Sequence, residues 1–316
     1  MKRAFVFPGQ GSQSVGMGKE LAEAFPIAAQ AFEEIDDSLS QPLTELMFEG
    51  PIEDLTLTEN AQPALMAVSV AVARVLEAES GKKLSDMADF VAGHSLGEYS
   101  ALTATGALQL SDTARSLKIR GQAMQKAVPV GVGAMAALLG MDIEPAEELV
   151  AEAAASAETG ICVIANDNAV GQVVLSGDKS AVERVIELAR EKGVRKAMLL
   201  PVSAPFHCPL MQPAADAMDA QLAKVTITPP TIPLVANVTA EQISDPETIR
   251  RLLVEQVTGR VRWRESVLYM GQQGVEQLCE LGTGKVLSAM VRRINKEMTG
   301  SAIQGPADID AFLSAL

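Results

Sequence analysis

A serine in a turn flanked by glycines is the feature of this 316-residue chain with the most specific chemistry. Residues 93–97 read GHSLG, a G-x-S-x-G pattern between a short apolar run and a helix-like segment. In acyl-transfer enzymes and hydrolases, such a strand-to-helix turn exposes the serine, and free N–H groups at the helix start can bind an oxyanion. An ordinary glycine turn has the same spacing, so the pattern alone leaves both interpretations open.

A second candidate is Arg120, whose position on its helix is unusual. With 3.6 residues per turn over residues 113–128, Arg120 falls between Leu117 and Met124 on the apolar arc. A guanidinium stays charged when it is buried, and removing an ion from water costs several kcal/mol. The pattern therefore predicts an anionic partner, and the nearby Ser95 suggests an acyl group that carries its own carboxylate.

A serine needs a base to become a nucleophile, and the chain has two histidines. His94 precedes Ser95 in the turn, where adjacent side chains diverge, so we predict that His207 is the base. Cys208 is an alternative nucleophile, but it lacks such a turn and is interpreted as a packed thiol. No acidic residue stands in an obvious loop after a late strand, so a backbone or side-chain carbonyl is expected to orient the imidazole.

A glycine-rich loop, GQGSQ at residues 9–13, follows the first predicted strand. A dinucleotide fingerprint would need glycine where Ser14 stands, and a phosphate loop would need lysine where Met17 stands. We interpret the loop as a source of oxyanion donors, with the backbone N–H of Gln10 acting beside that of Leu96. From the spacing alone, a simple glycine turn without a catalytic role is an equally good interpretation of this loop.

The order of elements predicts an α/β protein in two parts. Residues 134–201 read strand, helix, strand, strand, helix, strand, which is the order of a ferredoxin-like unit. Alternating strands and helices before and after it predict a mostly parallel sheet covered by helices. We therefore expect an α/β-hydrolase-like core at residues 1–128 and 206–316, with a small ferredoxin-like domain inserted at 129–205.

The composition and net charge of the chain argue against several classes of function. A net charge of −14 argues against nucleic-acid binding, and three cysteines without CxxC spacing argue against a disulfide framework or a zinc site. The apolar run at 61–76 contains Pro63, Ser69 and Arg74, so it is interpreted as a buried helix and not a membrane span. The apolar run at the N-terminus is too short for a signal peptide, so we expect a cytoplasmic protein. Basic residues in the C-terminal part of the sequence form either a solvent-exposed face or a binding surface for an acidic partner: Arg260, Arg262, Arg264, Lys285, Arg292, Arg293 and Lys296.

Taken together, these motifs resemble the malonyl-CoA:acyl carrier protein transacylases of fatty acid synthesis. The similarity lies in FPGQGSQ at 7–13, GHSLGE at 93–98, Arg120-Gly121 with Met124, IAN at 164–166 and QVV at 172–174. The resemblance implies that Ser95 takes the malonyl group, that His207 is the base and that Arg120 pairs with the malonyl carboxylate. It implies an oxyanion hole from Gln10 and Leu96, and it places the carbonyl that orients the histidine at Gln256.

The resemblance also implies the reaction and its participants. Malonyl would pass from malonyl-CoA to the phosphopantetheine thiol of an acidic acyl carrier protein, through a malonyl-serine, with no metal or other cofactor. Met124 and Phe206 would contact the substrate, and phenylalanine at 206, as in malonyl-selective polyketide synthase domains, favours malonyl over branched acyl groups. We expect a monomer that binds its carrier transiently. A thioesterase with the same serine and histidine, or a carrier-docking subunit without activity, are the alternatives.

Overall fold

The computed structural model describes residues 1–155 and 160–316, and these form two sheets with helices packed on them. The larger sheet contains β1 (Arg3–Phe7), β2 (Phe90–Gly93), β7 (Leu234–Val235), β8 (Gln242–Ile243), β9 (Gln277–Leu281) and β10 (Thr299–Ile303). The smaller sheet contains β3 (Gly133–Leu139), β4 (Cys162–Ala169), β5 (Gln172–Asp178) and β6 (Lys196–Leu199).

The helices of the larger unit lie between its strands in the sequence and pack on the sheet. They are α1 (Lys19–Ala24), α2 (Pro26–Leu39), α3 (Leu43–Glu49), α4 (Ile52–Thr56), α5 (Thr58–Ser80), α6 (Gly97–Ala104), α7 (Leu110–Lys126), α10 (Gln212–Leu222), α11 (Pro246–Thr258), α12 (Trp263–Gln272), α13 (Val286–Ile294) and α14 (Pro306–Ser314). Helices α8 (Ile143–Ala154) and α9 (Lys179–Glu191) belong to the smaller unit, and short 3₁₀ turns lie at Leu84–Asp86 and Pro209–Met211.

The larger sheet has the strand order β10-β9-β1-β2-β7-β8, and all its pairs are parallel except β7 with β8. Its central strands β1 and β2 are buried on both faces, as expected for a parallel sheet covered by helices. Because β1 and β2 run side by side in the same direction, the loop after β1 and the serine turn after β2 meet at one edge. The predicted α/β fold with a parallel-sheet core is confirmed.

The smaller sheet is antiparallel with the order β4-β5-β3-β6, the arrangement of a ferredoxin-like unit. Its apolar side chains pack with those of α8 and α9 in a core of their own. The predicted insertion points at 129 and 205 fall in the loops between α7 and β3 and after β6. Strand β4 holds the unit on the larger one, since Asn166 bridges Val261 and Arg264 pairs with the buried Asp167 at 2.9 Å.

Helix α5 is the long apolar helix that was predicted around residues 61–76. It has 23 residues and is long and apolar enough to cross a membrane, but 83% of its apolar window is buried inside the protein. It packs against α2, α6 and α7, so its apolar surface is covered by the protein's own helices, as for a core helix.

Candidate active site

Ser95 lies in a strained turn between β2 and α6. Its backbone φ is +54°, a left-handed conformation that costs energy for a residue with a side chain. A Cβ on Gly93 would lie 1.9 Å from the carbonyl carbon of Gly97, and one on Gly97 would lie 2.3 Å from the carbonyl oxygen of Phe7. Both glycines are therefore required for the turn to close, and the turn fixes the direction of the Ser95 hydroxyl.

His207 is placed to take the proton of Ser95. Its Nε2 lies 2.8 Å from Ser95 Oγ, and its Nδ1 lies 2.8 Å from the backbone oxygen of Gln256. A carbonyl oxygen only accepts, so Nδ1 carries the hydrogen and Nε2 is left bare to accept the serine proton. Burial, and next the positive charge of Arg120, lower the pKa of His207 to about 3, which keeps the imidazole neutral and ready to act as a base.

The two rival groups have other hydrogen-bond partners. His94 is half-buried in the lining of the same cavity, and its Nε2 lies 2.9 Å from Asn168 Oδ1, on the inserted unit. The thiol of Cys208 is buried and donates to the backbone oxygen of Pro205, and burial raises its pKa. A thiol with a raised pKa is a poor nucleophile, which leaves Ser95 as the candidate.

Arg120 is 1% exposed and its head group reaches the serine. It donates to Gln62 Oε1 at 2.8 Å, to Gln256 Oε1 at 2.8 Å and to Ser95 Oγ at 3.1 Å. These partners are all neutral, and the Nε–H has no partner among the described residues. The guanidinium also lies over the ring of Tyr99 at 5.7 Å. A buried cation whose partners within the protein are neutral, beside a nucleophile, is suited to hold an anionic substrate group.

Gln10 and Leu96 lie on the two loops that meet at this edge of the sheet. Across residues 1–155 and 160–316, neither of their backbone N–H groups donates a hydrogen bond within the protein. Both residues line the same cavity as Ser95. Two free N–H groups beside a nucleophile can hold the oxyanion of a tetrahedral intermediate.

The cavity above Ser95 has a volume of about 430 Å³ and is lined by both units. The larger unit supplies Ser95, His207 and Arg120 together with Met124 and Phe206, which were predicted to contact substrate. The inserted unit supplies Met135, Val174 and Leu200. The cavity is therefore a cleft between the two units, and its lining combines apolar side chains with the charged Arg120.

Three buried polar residues at this site were not predicted from the sequence: Gln62, Glu98 and Asn237. Asn237 accepts a hydrogen bond from the backbone N–H of Ser95 at 2.8 Å and donates to the backbone oxygen of Gly93 at 2.7 Å. The sequence contains an indication of each residue. Gln62 and Glu98 are polar residues within buried helical segments, and Asn237 follows a strand that lies beside the strand leading to Ser95. Polar residues at the carboxyl ends of parallel strands often serve a site.

The late basic residues do not form one free patch. Arg260 pairs with Glu147 at 2.8 Å, Arg262 pairs with Glu265, and Arg264 pairs with Asp167. Arg293 donates to the side chain of Gln172 and to the backbone oxygen of Val170. Several of these cations thus have ion-pair or hydrogen-bond partners within the chain. Among the described residues, no group of three or more His, Cys, Asp or Glu is placed to hold a metal ion.

Comparison with known proteins agrees with this geometry. The family model for the acyl transferase domain matches residues 4–302. The chain belongs to the acyl transferase domain family. This acyltransferase is 43% identical over 315 residues to the malonyl CoA-acyl carrier protein transacylase of Bacillus subtilis (strain 168), covering 100% of this chain and 97% of the relative. The resemblance inferred from the motifs is confirmed.

Solved structures extend the comparison to the whole fold of the acyltransferase. An acyl-carrier-protein-S-malonyltransferase from Bartonella henselae is 55% identical with a TM-score of 0.96, covering 100% of this chain and 99% of that one. A malonyl-transacylase solved in complex with its type II PKS acyl-carrier protein is 40% identical with a TM-score of 0.95, covering 100% of both chains. The acyltransferase therefore keeps both units of its relatives, including the cleft between them.

Proposed function

We propose that this acyltransferase moves the malonyl group of malonyl-CoA to the phosphopantetheine thiol of an acyl carrier protein, through a malonyl-Ser95 intermediate. The observation that carries the proposal is the buried Arg120, whose protein partners are neutral and whose Nη2 lies 3.1 Å from Ser95 Oγ. A cation in that position is matched by an acyl group with a free carboxylate at its far end. Malonyl has one, and acetyl does not.

In the first half-reaction, His207 Nε2 accepts the proton of Ser95 as Oγ attacks the thioester carbonyl. The oxyanion accepts hydrogen bonds from the N–H groups of Gln10 and Leu96, each worth about 3–4 kcal/mol of barrier lowering. When the intermediate collapses, the C–S bond breaks and His207 returns its proton to the departing sulfur of coenzyme A. The products are free coenzyme A and a malonyl ester on Ser95.

The second half-reaction runs the same steps in reverse with a new thiol. His207 takes the proton of the phosphopantetheine thiol, the sulfur attacks the ester, and the C–O bond to Ser95 breaks as the proton returns to Oγ. The two substrates thus use one site in turn, which is ping-pong kinetics. Throughout, Arg120 holds the carboxylate, while Met124 and Phe206 limit the space around the malonyl carbon.

The identity of the carrier follows from the relatives. The names of the relatives specify acyl carrier protein as the acceptor, and one solved relative is in complex with its carrier. We propose the same class of acceptor here, with fatty acid synthesis in the cytoplasm as the setting and a monomer as the working unit. No cofactor enters the proposed steps.

Intact-mass measurement tests the proposal directly. Mixing the protein with malonyl-CoA should add one malonyl group, and a phosphopantetheinylated carrier should then remove it and gain the same mass. Ser95→Ala should form no adduct, whereas an adduct mapped to Cys208 would overturn the assignment of the nucleophile. Rapid release of free malonate in the absence of a thiol would indicate a thioesterase instead, and no labelling by malonyl-CoA would indicate a protein without this activity.

A further inference from the structure

Glu98 is a buried carboxylate directly behind the catalytic serine. It is 1% exposed, in the first turn of α6, and both its oxygens face N–H donors. Oε1 accepts from the backbone N–H of Asn237, and Oε2 accepts from the side-chain amide of Gln256. A carboxylate with two N–H donors and no group to donate to is satisfied in its ionised form.

The Gln256 side chain connects Glu98 to the substrate arginine. Its Nε2 donates to Glu98 and also lies 2.9 Å from the backbone oxygen of Ser95, while its Oε1 accepts from Arg120 at 2.8 Å. If the amide were reversed, its NH₂ would face the N–H groups of Arg120. The carboxylate of Glu98 thus favours, together with the backbone oxygen of Ser95, the amide orientation that leaves an acceptor for Arg120.

Burial and the surrounding polar groups act on the ionisation of Glu98 in opposite directions. The titratable groups that face it are Arg120 from α7 and Tyr99 from its own helix, and His207 lies beyond the backbone of Gln256. Burial raises the pKa of Glu98 to about 8, against the hydrogen bonds from Asn237 and Gln256 and the charge of Arg120, which lower it. Glu98 is thus the buried acid nearest in this hydrogen-bond chain to the substrate arginine, separated from it by one amide.

We propose that Glu98 is a positioning residue that, through the Gln256 amide, fixes the direction of Arg120 and thereby sets the preference for carboxylate-bearing acyl groups. The inference rests on the proposed malonyl transfer and adds to it the residue that controls its selectivity. Glu98 does not touch the substrate. Its effect is therefore expected on malonyl and not on acetyl, which makes no use of the arginine's charge.

The test is Glu98→Gln, with acylation of Ser95 measured separately for malonyl-CoA and acetyl-CoA in single turnovers. A glutamine at 98 must present its NH₂ to one of two N–H donors, so the Gln256 amide turns and Arg120 loses an acceptor. The malonyl rate constant should fall about 100-fold, as for a misplaced substrate contact. The acetyl rate constant should stay within about threefold.

A matched control is Glu280→Gln. Glu280 is also a buried carboxylate, on β9, and accepts from Ser288, outside the cavity. Both acyl donors should react with this variant as with the unaltered protein. If Glu98→Gln does not fold, Gln256→Met replaces it, because that variant keeps the backbone carbonyl that orients His207 while it removes the side-chain amide that joins Glu98 to Arg120 and to the backbone oxygen of Ser95.

Equal losses for the two donors in these variants, or an unchanged malonyl-to-acetyl ratio, would overturn the role of Glu98, since a purely structural residue affects both donors alike. A selective malonyl loss would support it. Failure of the proposed function has a different signature, because the unaltered protein would then form no malonyl-serine at all.

Discussion

Arg120→Ala is the variant that most directly tests how this site selects its substrate. In the proposed malonyl complex the guanidinium and the carboxylate would form a buried charge pair, and removing one partner of such a pair costs about 3–5 kcal/mol. Because 1.4 kcal/mol corresponds to tenfold in rate, malonylation of Ser95 should fall by about 100-fold to 4,000-fold. Acetyl has no carboxylate and loses only the hydrogen bond from Arg120 to Ser95 Oγ, so its rate should fall by about tenfold or less.

The assay is rapid quenching followed by intact mass, with malonyl-CoA and acetyl-CoA at the same concentration. The matched control is Arg115→Ala, on the same helix and with the same change in side chain. Arg115 is exposed and pairs with Asp112 at 2.7 Å, a surface ion pair worth at most about 1 kcal/mol. Arg115→Ala should therefore leave both acylation rates unchanged.

The reasoning would be refuted by equal losses for the two donors in Arg120→Ala. That result would mean that Arg120 acts on the serine or on the fold and not on the substrate carboxylate. A general loss of structure is recognised separately by the near-UV circular dichroism of Trp263, the single tryptophan of the chain, which is fully buried.

Three further predictions concern pH and stability. The folded-state pKa of His207 is about 3, below its ordinary value of 6.5. The neutral imidazole therefore contributes stability that is present above pH 6.5 and is lost as pH falls toward 3. Urea unfolding at several pH values should accordingly show less acid sensitivity in His207→Gln than in the unaltered protein. Because the charge of Arg120 also lowers that pKa, the acid limb of the acetylation pH profile should move to higher pH in Arg120→Ala. Arg264→Met leaves the buried Asp167 without its cation and should destabilise the protein by about 3 kcal/mol, measured by urea unfolding, whereas adding Asp167→Asn should restore part of that loss.

Features that depend on a residue's neighbours in the sequence could be predicted from the sequence alone. The phase of one helix placed Arg120 on the apolar side, and the structure leaves it 1% exposed. The glycines at 93 and 97 predicted a tight turn around Ser95, and the structure contains that turn. The order of strands and helices predicted the ferredoxin-like unit, because each of its elements is long enough to show its period.

Other features depend on contacts between distant parts of the chain and could not be derived from local pattern. The pairs Arg120–Gln62 and Glu98–Gln256 are separated by 58 and 158 residues. The short helices α3 and α4 and the two-residue strand β8 have too few residues to show a period. The ion pair of Arg264 with Asp167 likewise requires knowing that β4 of the inserted unit lies beside residues 260–264.

The site's charge balance explains why its selectivity can depend on one cation. Arg120 is held by amide and hydroxyl oxygens, and the acid in its hydrogen-bond chain, Glu98, is kept one amide away by Gln256. A carboxylate directly on Arg120 would compete with the substrate. Because the acid lies behind an amide, the direct partners of Arg120 are neutral, and Arg120 lines the cavity beside Ser95 where the proposed malonyl carboxylate would bind.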